Sequence, residues 1–454
     1  MQNYRNPGLP SHSQSQTWAL LSSMVRWMRL QFQITLALLL ILTAVPWSGC
    51  GRERDSTFRR DPAAQGPVIP DGFGVNIHFT DPQPGEMKML AASGVRWIRM
   101  DFKWDLTEPA KNTYDFAPYD RLMSALAPFG IRALFILDYG NRLYDDGGPP
   151  RTEAARQAFA RWAVAAAKHF ARRGVVWETW NEPNHQIFWR PRPNVNEYAE
   201  LALVVARAFR AAVPDEKLIG PAVSEMDFAF LEGCFKAGLL EYWHAVSVHP
   251  YLRTNPELVS GDYHHLREMI KIYTPKEKQI AIFSGEWGYS SVWPGMNEEK
   301  QGQWLARQWL TNAANDIPLS IWYDWRDDGS DPREYEHHFG MVSNAYHEGR
   351  DPVYDPKPAY LATRTLTTFF AGYQYEKRLS VGGPDDYVLL FRQGGKLRVA
   401  AWTAADREHP LVIPLDPGRY TSVGHTGGNS TSITANQNGV PLTLTAAPVY
   451  LGQQ

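Results

Sequence analysis

The chain has 454 residues, more than one small domain needs, and reads as one large domain with an appendage. Its 46 basic and 48 acidic side chains leave a net charge of −2, which gives no electrostatic case for nucleic acid or an anionic membrane surface. Only two cysteines, Cys50 and Cys234, are present, so neither a disulfide framework nor a zinc cluster can be built; aromatic content is high, with 17 tryptophans.

The first fifty residues read as an export signal. Arg26 and Arg29 precede the apolar run ITLALLLILTAV at 34–45, too short to span a bilayer. Small residues then lead to Cys50 in WSGC. This resembles a bacterial lipoprotein signal and implies a lipid on Cys50, the chain's one membrane contact. Trp47 stands where such signals carry an aliphatic residue, so plain secretion is the other reading. Met24 and Met28 are alternative starts. Residues 51–70 are polar and contain proline, as a tether would.

From Gly72 short apolar runs alternate with amphipathic ones. Strands are predicted at FGVNIHF (73–79), VRWIRMDF (95–102), RALFILDY (132–139), VVWETWN (175–181), KLIGPAVS (217–224), AVSVHPY (245–251), QIAIFSGE (279–286) and LSIWYDW (319–325). Helices are predicted between them, among them 156–173 and 300–315, and a last one at 358–372. Gly94, Gly130 and Gly174 stand just before strands, as helix-ending glycines do. Eight β-then-α units fit a (β/α)8 TIM barrel over 71–372 better than an open doubly wound sheet, because no glycine-rich phosphate loop follows Phe79. Cys234 in LEGCF reads as an apolar helix residue. Beyond 372 short strands separated by turn residues predict a small all-β sandwich-like accessory domain, 373–454, supporting the barrel.

Barrel chemistry sits at the C-terminal strand ends. The polar or aromatic residues there are Asp101, Asn181, Glu182, His249, Tyr251, Glu286, Asp324 and Trp325. Glu182 ends strand four and Glu286 strand seven. Two carboxylates at one mouth are the equipment for breaking a glycosidic bond: one protonates the leaving oxygen, the other attacks the anomeric carbon. Glu178, four residues earlier on strand four, lies roughly 13 Å deeper and reads as structural, paired with Arg96 or Arg99.

WNEPN followed about a hundred residues later by SGEWG resembles the clan A retaining glycoside hydrolases, particularly family 39 and the related family 5. WNEPNHQIFWRP, HPYLRTNPE and DPKPAYLA resemble the family 39-like exopolysaccharide glycosidases of bacterial biofilms, and the resemblance spans 72–372. It implies Glu182 as acid/base, Glu286 as nucleophile and Asn181 as the partner of the sugar hydroxyl beside the anomeric carbon. It implies that Arg99 holds the nucleophile and keeps it ionised, a choice over Arg96 that strand parity alone does not make. His249 and Tyr251 match the strand-six pair, with Tyr251 bonding Glu286. Strand eight, IWYDWRDDG, is closer to family 5, and LDYGN lacks the strand-three histidine of many family 5 cellulases; these departures bear on the substrate.

Trp189, Trp287, Trp293, Trp322 and Trp325 fall near the expected mouth, and at least two are expected to stack on sugar rings, with Trp287 and Trp325 taken as substrate-binding. No cofactor and no metal are expected: His264–His265 and His337–His338 have no completing carboxylates, and Asp327–Asp328 before Gly329 reads as a loop cap. The expected function is an exported retaining glycosidase whose partner is a β-linked poly- or oligosaccharide. Long loops after strands four and eight suggest a cleft and internal cleavage. The alternatives are a non-catalytic glycan-binding or matrix protein on the same barrel, and a transglycosylase.

Overall fold

The computed structural model describes residues 67–454. The expected export signal, Cys50 and all but the last residues of the tether lie outside the described residues. Among the described residues no helix is long and apolar enough to cross a membrane.

Eight parallel strands close into a barrel in chain order: β1 (Phe73–Asn76), β2 (Trp97–Lys103), β3 (Arg132–Asp138), β4 (Val176–Thr179), β5 (Lys217–Ser224), β6 (Ala245–His249), β7 (Ala281–Trp287) and β8 (Ser320–Trp322), which pairs back onto β1. All eight lie within or overlap the predicted runs. Alternation sorts their side chains. Trp97, Leu134, Ile136, Val176, Ile219, Ala245 and Ile321 form the cluster inside the barrel. The residues between them, such as Ile98, Phe135, Trp177 and Val246, pack outward under the helices.

Local chemistry sets where the helices begin and end. Thr152, Asn194, Asp227 and Asn297 cap the helices Glu153–His169, Val195–Ala212, Phe228–Lys236 and Glu298–Ala314 with side-chain oxygens that accept first-turn N–H groups. Cys234 is buried in the third of these. Gly94, Gly130 and Gly174 take the left-handed conformation at the turns into β2, β3 and β4 (φ 87°, 63° and 73°).

After the helix Pro358–Phe369 come β9 (Gln374–Arg378), β10 (Asp386–Gln393), β11 (Lys396–Thr403), β12 (His409–Ile413), β13 (Gly418–Gly424), β14 (Gly427–Ala435), β15 (Val440–Leu444) and β16 (Val449–Gln453). Six of them form an antiparallel sheet in the order β14-β13-β16-β11-β10-β9, and β12 pairs with β15. The run PLTLTAAPVYL (441–451) holds most of β15 and the start of β16. Period-two alternation gives the large sheet two apolar faces. Leu389, Phe391, Ala400, Trp402 and Tyr450 join the barrel's core. Val388, Leu390, Val399, Ala401 and Leu451 pack with Ile413, Val440 and Leu444 of the small pair. A buried polar tie crosses the junction. Arg307 holds Glu257 at 2.7 and 2.8 Å, Trp402 Nε1 donates to Glu257 Oε1 at 2.7 Å, and Asn255 Nδ2 donates to the Ala404 carbonyl at 3.2 Å.

Candidate active site

Arg99 organises the barrel's C-terminal mouth. Its side chain is fully buried, a costly place for a cation unless every N–H finds an acceptor. Nε donates to Glu178 Oε2 at 2.7 Å, Nη1 to Glu286 Oε2 at 2.6 Å and Nη2 to Asn181 Oδ1 at 2.8 Å. Glu178 therefore pairs with Arg99, not Arg96, and is itself buried. Burial, which disfavours the guanidinium charge, is outweighed by Glu178 and then Glu286, so Arg99 is held above its ordinary range.

β4 stops at Thr179, three residues short of Glu182. The turn beyond it is tightly held. Trp180 and Glu182 both sit at positive φ (68° and 44°), uncommon for residues with a Cβ. Glu182 N–H donates to the Ala222 carbonyl on β5 at 2.9 Å, and Asn184 bonds the Ser224 backbone through both ends of its amide, at 2.8 and 3.0 Å. Glu182 is thus fixed at the rim with 7% of its surface exposed. Burial, opposed by His185 and Ser224, raises it to about 7, so near neutrality it can hold a proton.

Glu286 lies on β7, where the register against β8 shifts between Ser284 and Trp287. Such an irregularity re-aims a side chain. Gly285 is required beside it: a Cβ there would meet Ser247 Oγ at 2.2 Å and Glu178 Oε1 at 3.3 Å. Both Glu286 oxygens are engaged, Oε2 by Arg99 and Oε1 by the Tyr251 hydroxyl at 2.7 Å. Asn76 Nδ2 stands 3.5 Å from Oε2. One oxygen each of Glu182 and Glu286 lie within 4.8 Å of each other, and a ring nitrogen of His249 is within the same distance of both.

Of the residues expected to bind substrate, Asn181 and Tyr251 lie beside the carboxylates. Arg99 and His249 are fully buried behind them: His249 bonds Glu182 Oε1 at 2.9 Å and Arg99 at 3.2 Å. The expectation for tryptophan fails. Trp287 and Trp325 are 0% and 1% exposed and offer no face to a sugar. Trp325 Nε1 instead donates to Glu86 at 3.0 Å, Trp189 to Glu197 at 3.1 Å and Trp322 to the Phe339 carbonyl at 3.2 Å. Trp293 is 9% exposed, with Arg253 over its ring. Partly open aromatics stand nearer the rim: Tyr323, edge-on to His78, and Tyr139, stacked on Phe188. Tyrosines at strand ends could have been read from LDYG and IWYDW, but tryptophan drew the reading away.

The second acidic feature of the rim is His78 with Asp324, 3.4 Å apart. Asp324 and Asp328 drive His78 up to about 9 against the opposing effect of burial, and burial raises Asp324 to about 7. His78, Asp324 and Asp328, like Glu182, His249 and Glu286, are spaced closely enough to hold a cation. A cation at the second group would face the Arg99 guanidinium, and one at the first would displace the proton on His78. Asp327 accepts from Gly340 N and Lys357 Nζ, both at 2.8 Å, and so ties down the loop after β8 as the cap reading expected.

Residues 64–329, more than half of the chain, match the cellulase family, glycosyl hydrolase family 5. Among curated proteins there is no match. The fold is similar to a family 39 glycoside hydrolase from the gut symbiont Bacteroides cellulosilyticus (24% identity, 85% of this chain and 81% of that one, TM-score 0.74). It is also similar to a monomeric β-xylosidase from Caulobacter crescentus (18%, 86% and 97%, 0.63) and a family 30 endoxylanase from Clostridium papyrosolvens (11%, 86% and 98%, 0.58). With the paired rim carboxylates and the closed barrel, these findings identify the chain as a clan A glycoside hydrolase that belongs to the cellulase family, glycosyl hydrolase family 5.

Proposed function

We propose that the protein is a retaining glycosidase acting on a β-linked poly- or oligosaccharide. The observation that carries this reading is the approach of Glu182 and Glu286 oxygens to within 4.8 Å. Retaining enzymes hold their carboxyls about 5–5.5 Å apart, whereas inverting enzymes leave about 6.5–9.5 Å for a water. Glu286, gripped by Arg99 and Tyr251, attacks the anomeric carbon and forms a glycosyl ester. Glu182 gives its proton to the departing oxygen. It then takes a proton from the water that cleaves the ester, returning both groups to their starting state.

NMR of the first anomer released from purified β-glucans, β-mannans, β-xylans and matching aryl glycosides tests this. The β-anomer is expected first from a β-linked substrate, and the α-anomer would refute retention. A fall in polymer length ahead of monosaccharide release would support internal cleavage. The working location in this proposal is outside the cytoplasm, with a lipid on Cys50. Labelled palmitate should enter the wild type and not Cys50→Ala; equal labelling would remove the anchor.

A further inference from the structure

Asp138, at the mouth end of β3, is fully buried, and among the described residues no N–H or O–H group reaches either of its carboxyl oxygens. A buried carboxyl in that state is expensive unless it holds a proton and passes it to an acceptor. An acceptor is at hand: Asp101 stands on the adjacent strand, opposite Ile136 and one inward-facing position from Asp138.

Both side chains point inward. Arg99 enters the barrel from β2, so Asp101, two residues further along, lies on the same face one layer nearer the mouth. Ile136 belongs to the inner cluster of β3, and Asp138 is two residues beyond it. In register Asp101 is opposite Ile136, and Lys103 is opposite Asp138. Burial and then Asp101 push Asp138 well above the ordinary carboxyl range. Unlike Asp138, Asp101 reaches solvent, its side chain 26% exposed with Lys103 Nζ 3.7 Å from Oδ2. Its charge is also felt by His78 on the next strand end and by Tyr139, which reaches Asn181. It therefore stands on the β1–β3 side of the rim, beside the residues that flank the two glutamates.

We propose that Asp101 is a specificity-determining residue that accepts a hydrogen bond from a ring hydroxyl of an uncharged pyranose, and that Asp138 is the positioning residue that holds it by donating a carboxyl proton. Three features make the pair a reader. Its open oxygens are acceptors, so it rewards a sugar hydroxyl. Among the described residues Asp138 has no other hydrogen-bond partner, so its geometry depends on Asp101. Asp138 behind it is fully buried, so the pair presents only the Asp101 oxygens to a ligand. The proposal rests on the glycosidase reading for its choice of ligand, but its test does not need turnover.

Calorimetry on the full chain carrying Glu286→Gln would compare 4-nitrophenyl β-D-glucopyranoside, β-D-mannopyranoside and β-D-xylopyranoside with their monodeoxy analogues. For the best-bound sugar, removal of one hydroxyl should weaken binding roughly 10–100-fold, the range for a hydrogen bond to a charged group. Asp101→Ala should bring that ratio close to one. Asp138→Ala should lower it, and Asp138→Asn, whose amide can still donate to Asp101, should restore it. A ratio that Asp101→Ala leaves unchanged for all three sugars overturns the proposal, as does an Asn variant no better than Ala. Turnover of the same glycosides by wild type and by Glu286→Ala tests the glycosidase reading separately. Discrimination in binding without any turnover would sink hydrolysis and leave the role of Asp101 standing.

Discussion

His249 donates to Glu182: Nδ1 lies 2.9 Å from Oε1, while Nε2 faces Arg99 Nη2 at 3.2 Å. A guanidinium can only donate, so Nε2 accepts and the ring proton resides on Nδ1. Burial lowers His249 to about 4, which keeps this neutral tautomer in place around neutrality. His249→Phe removes a donor that favours the ionised form of Glu182. The alkaline limb of kcat/KM should then move upward, and the water-dependent second step should slow about 10–100-fold. Pre-steady-state kinetics across pH would show it; an unshifted limb would count against the coupling.

The same lowered value predicts acid sensitivity. Folded His249 resists a proton that the unfolded chain binds near its ordinary value of 6.5. Between about 6.5 and 4 the unfolded state therefore holds more protons, and the His249 contribution makes stability fall with acidification. Denaturant titrations over that window should show a shallower loss in His249→Phe than in wild type.

Glu182, raised to about 7, must carry a proton to help the leaving group. kcat/KM should fall as pH rises through about 7. Glu182→Gln should erase that limb and slow glycosides with poor leaving groups by roughly 10²–10⁴-fold, with a smaller loss for nitrophenyl glycosides. A Gln variant that keeps the wild-type pH profile would reassign the acid.

Tyr251 engages one oxygen of Glu286 at 2.7 Å. Tyr251→Phe keeps the ring and loses the hydroxyl, so kcat should drop roughly 10–100-fold, the worth of a hydrogen bond to a charged group. Burst kinetics would tell whether ester formation or its breakdown carries the loss.

Arg307 and Glu257 are each at most 2% exposed in their side chains. Arg307→Ala strands a buried carboxylate and should cost about 3–5 kcal/mol in urea unfolding, and replacing both partners by apolar residues should recover much of it. Removing the exposed pair Lys88–Asp351 should change little, since water already screens it.

The barrel was legible because its signals are local: eight apolar runs alternate with amphipathic ones, and Gly94, Gly130 and Gly174 mark three of the turns into strands. The carboxylate pair was legible too, since strand ends of one barrel must share a mouth. Arg99 over Arg96 as the nucleophile's partner came from the resemblance, but that Arg99 also pairs with Glu178 needed coordinates, since one guanidinium serving both carboxylates is not written in the spacing. The tryptophans misled because an indole suits both a core and a sugar platform; all five are buried, and Trp189, Trp322 and Trp325 give their N–H groups to partners inside the protein. His249 reads as a substrate contact from its match to the strand-six pair of the resemblance; it is instead fully buried and bonded to Glu182. Asp101 and Asp138 could not be paired from the chain, because nothing in DF or LDY announces that one carboxyl faces the other.

β16 runs through the middle of the six-stranded sheet, hydrogen-bonded to β11 on one side and β13 on the other. Proteolytic trimming or a stop codon ahead of Val449 would cut that sheet into two unequal ribbons and strip Tyr450 from the barrel's flank. Trp402, on the neighbouring strand, grips Glu257, a few residues past Tyr251. Damage far from the mouth would thus loosen the loop that steadies the nucleophile, so an affinity tag or fusion near Gln453 has to spare these residues to keep the catalyst intact.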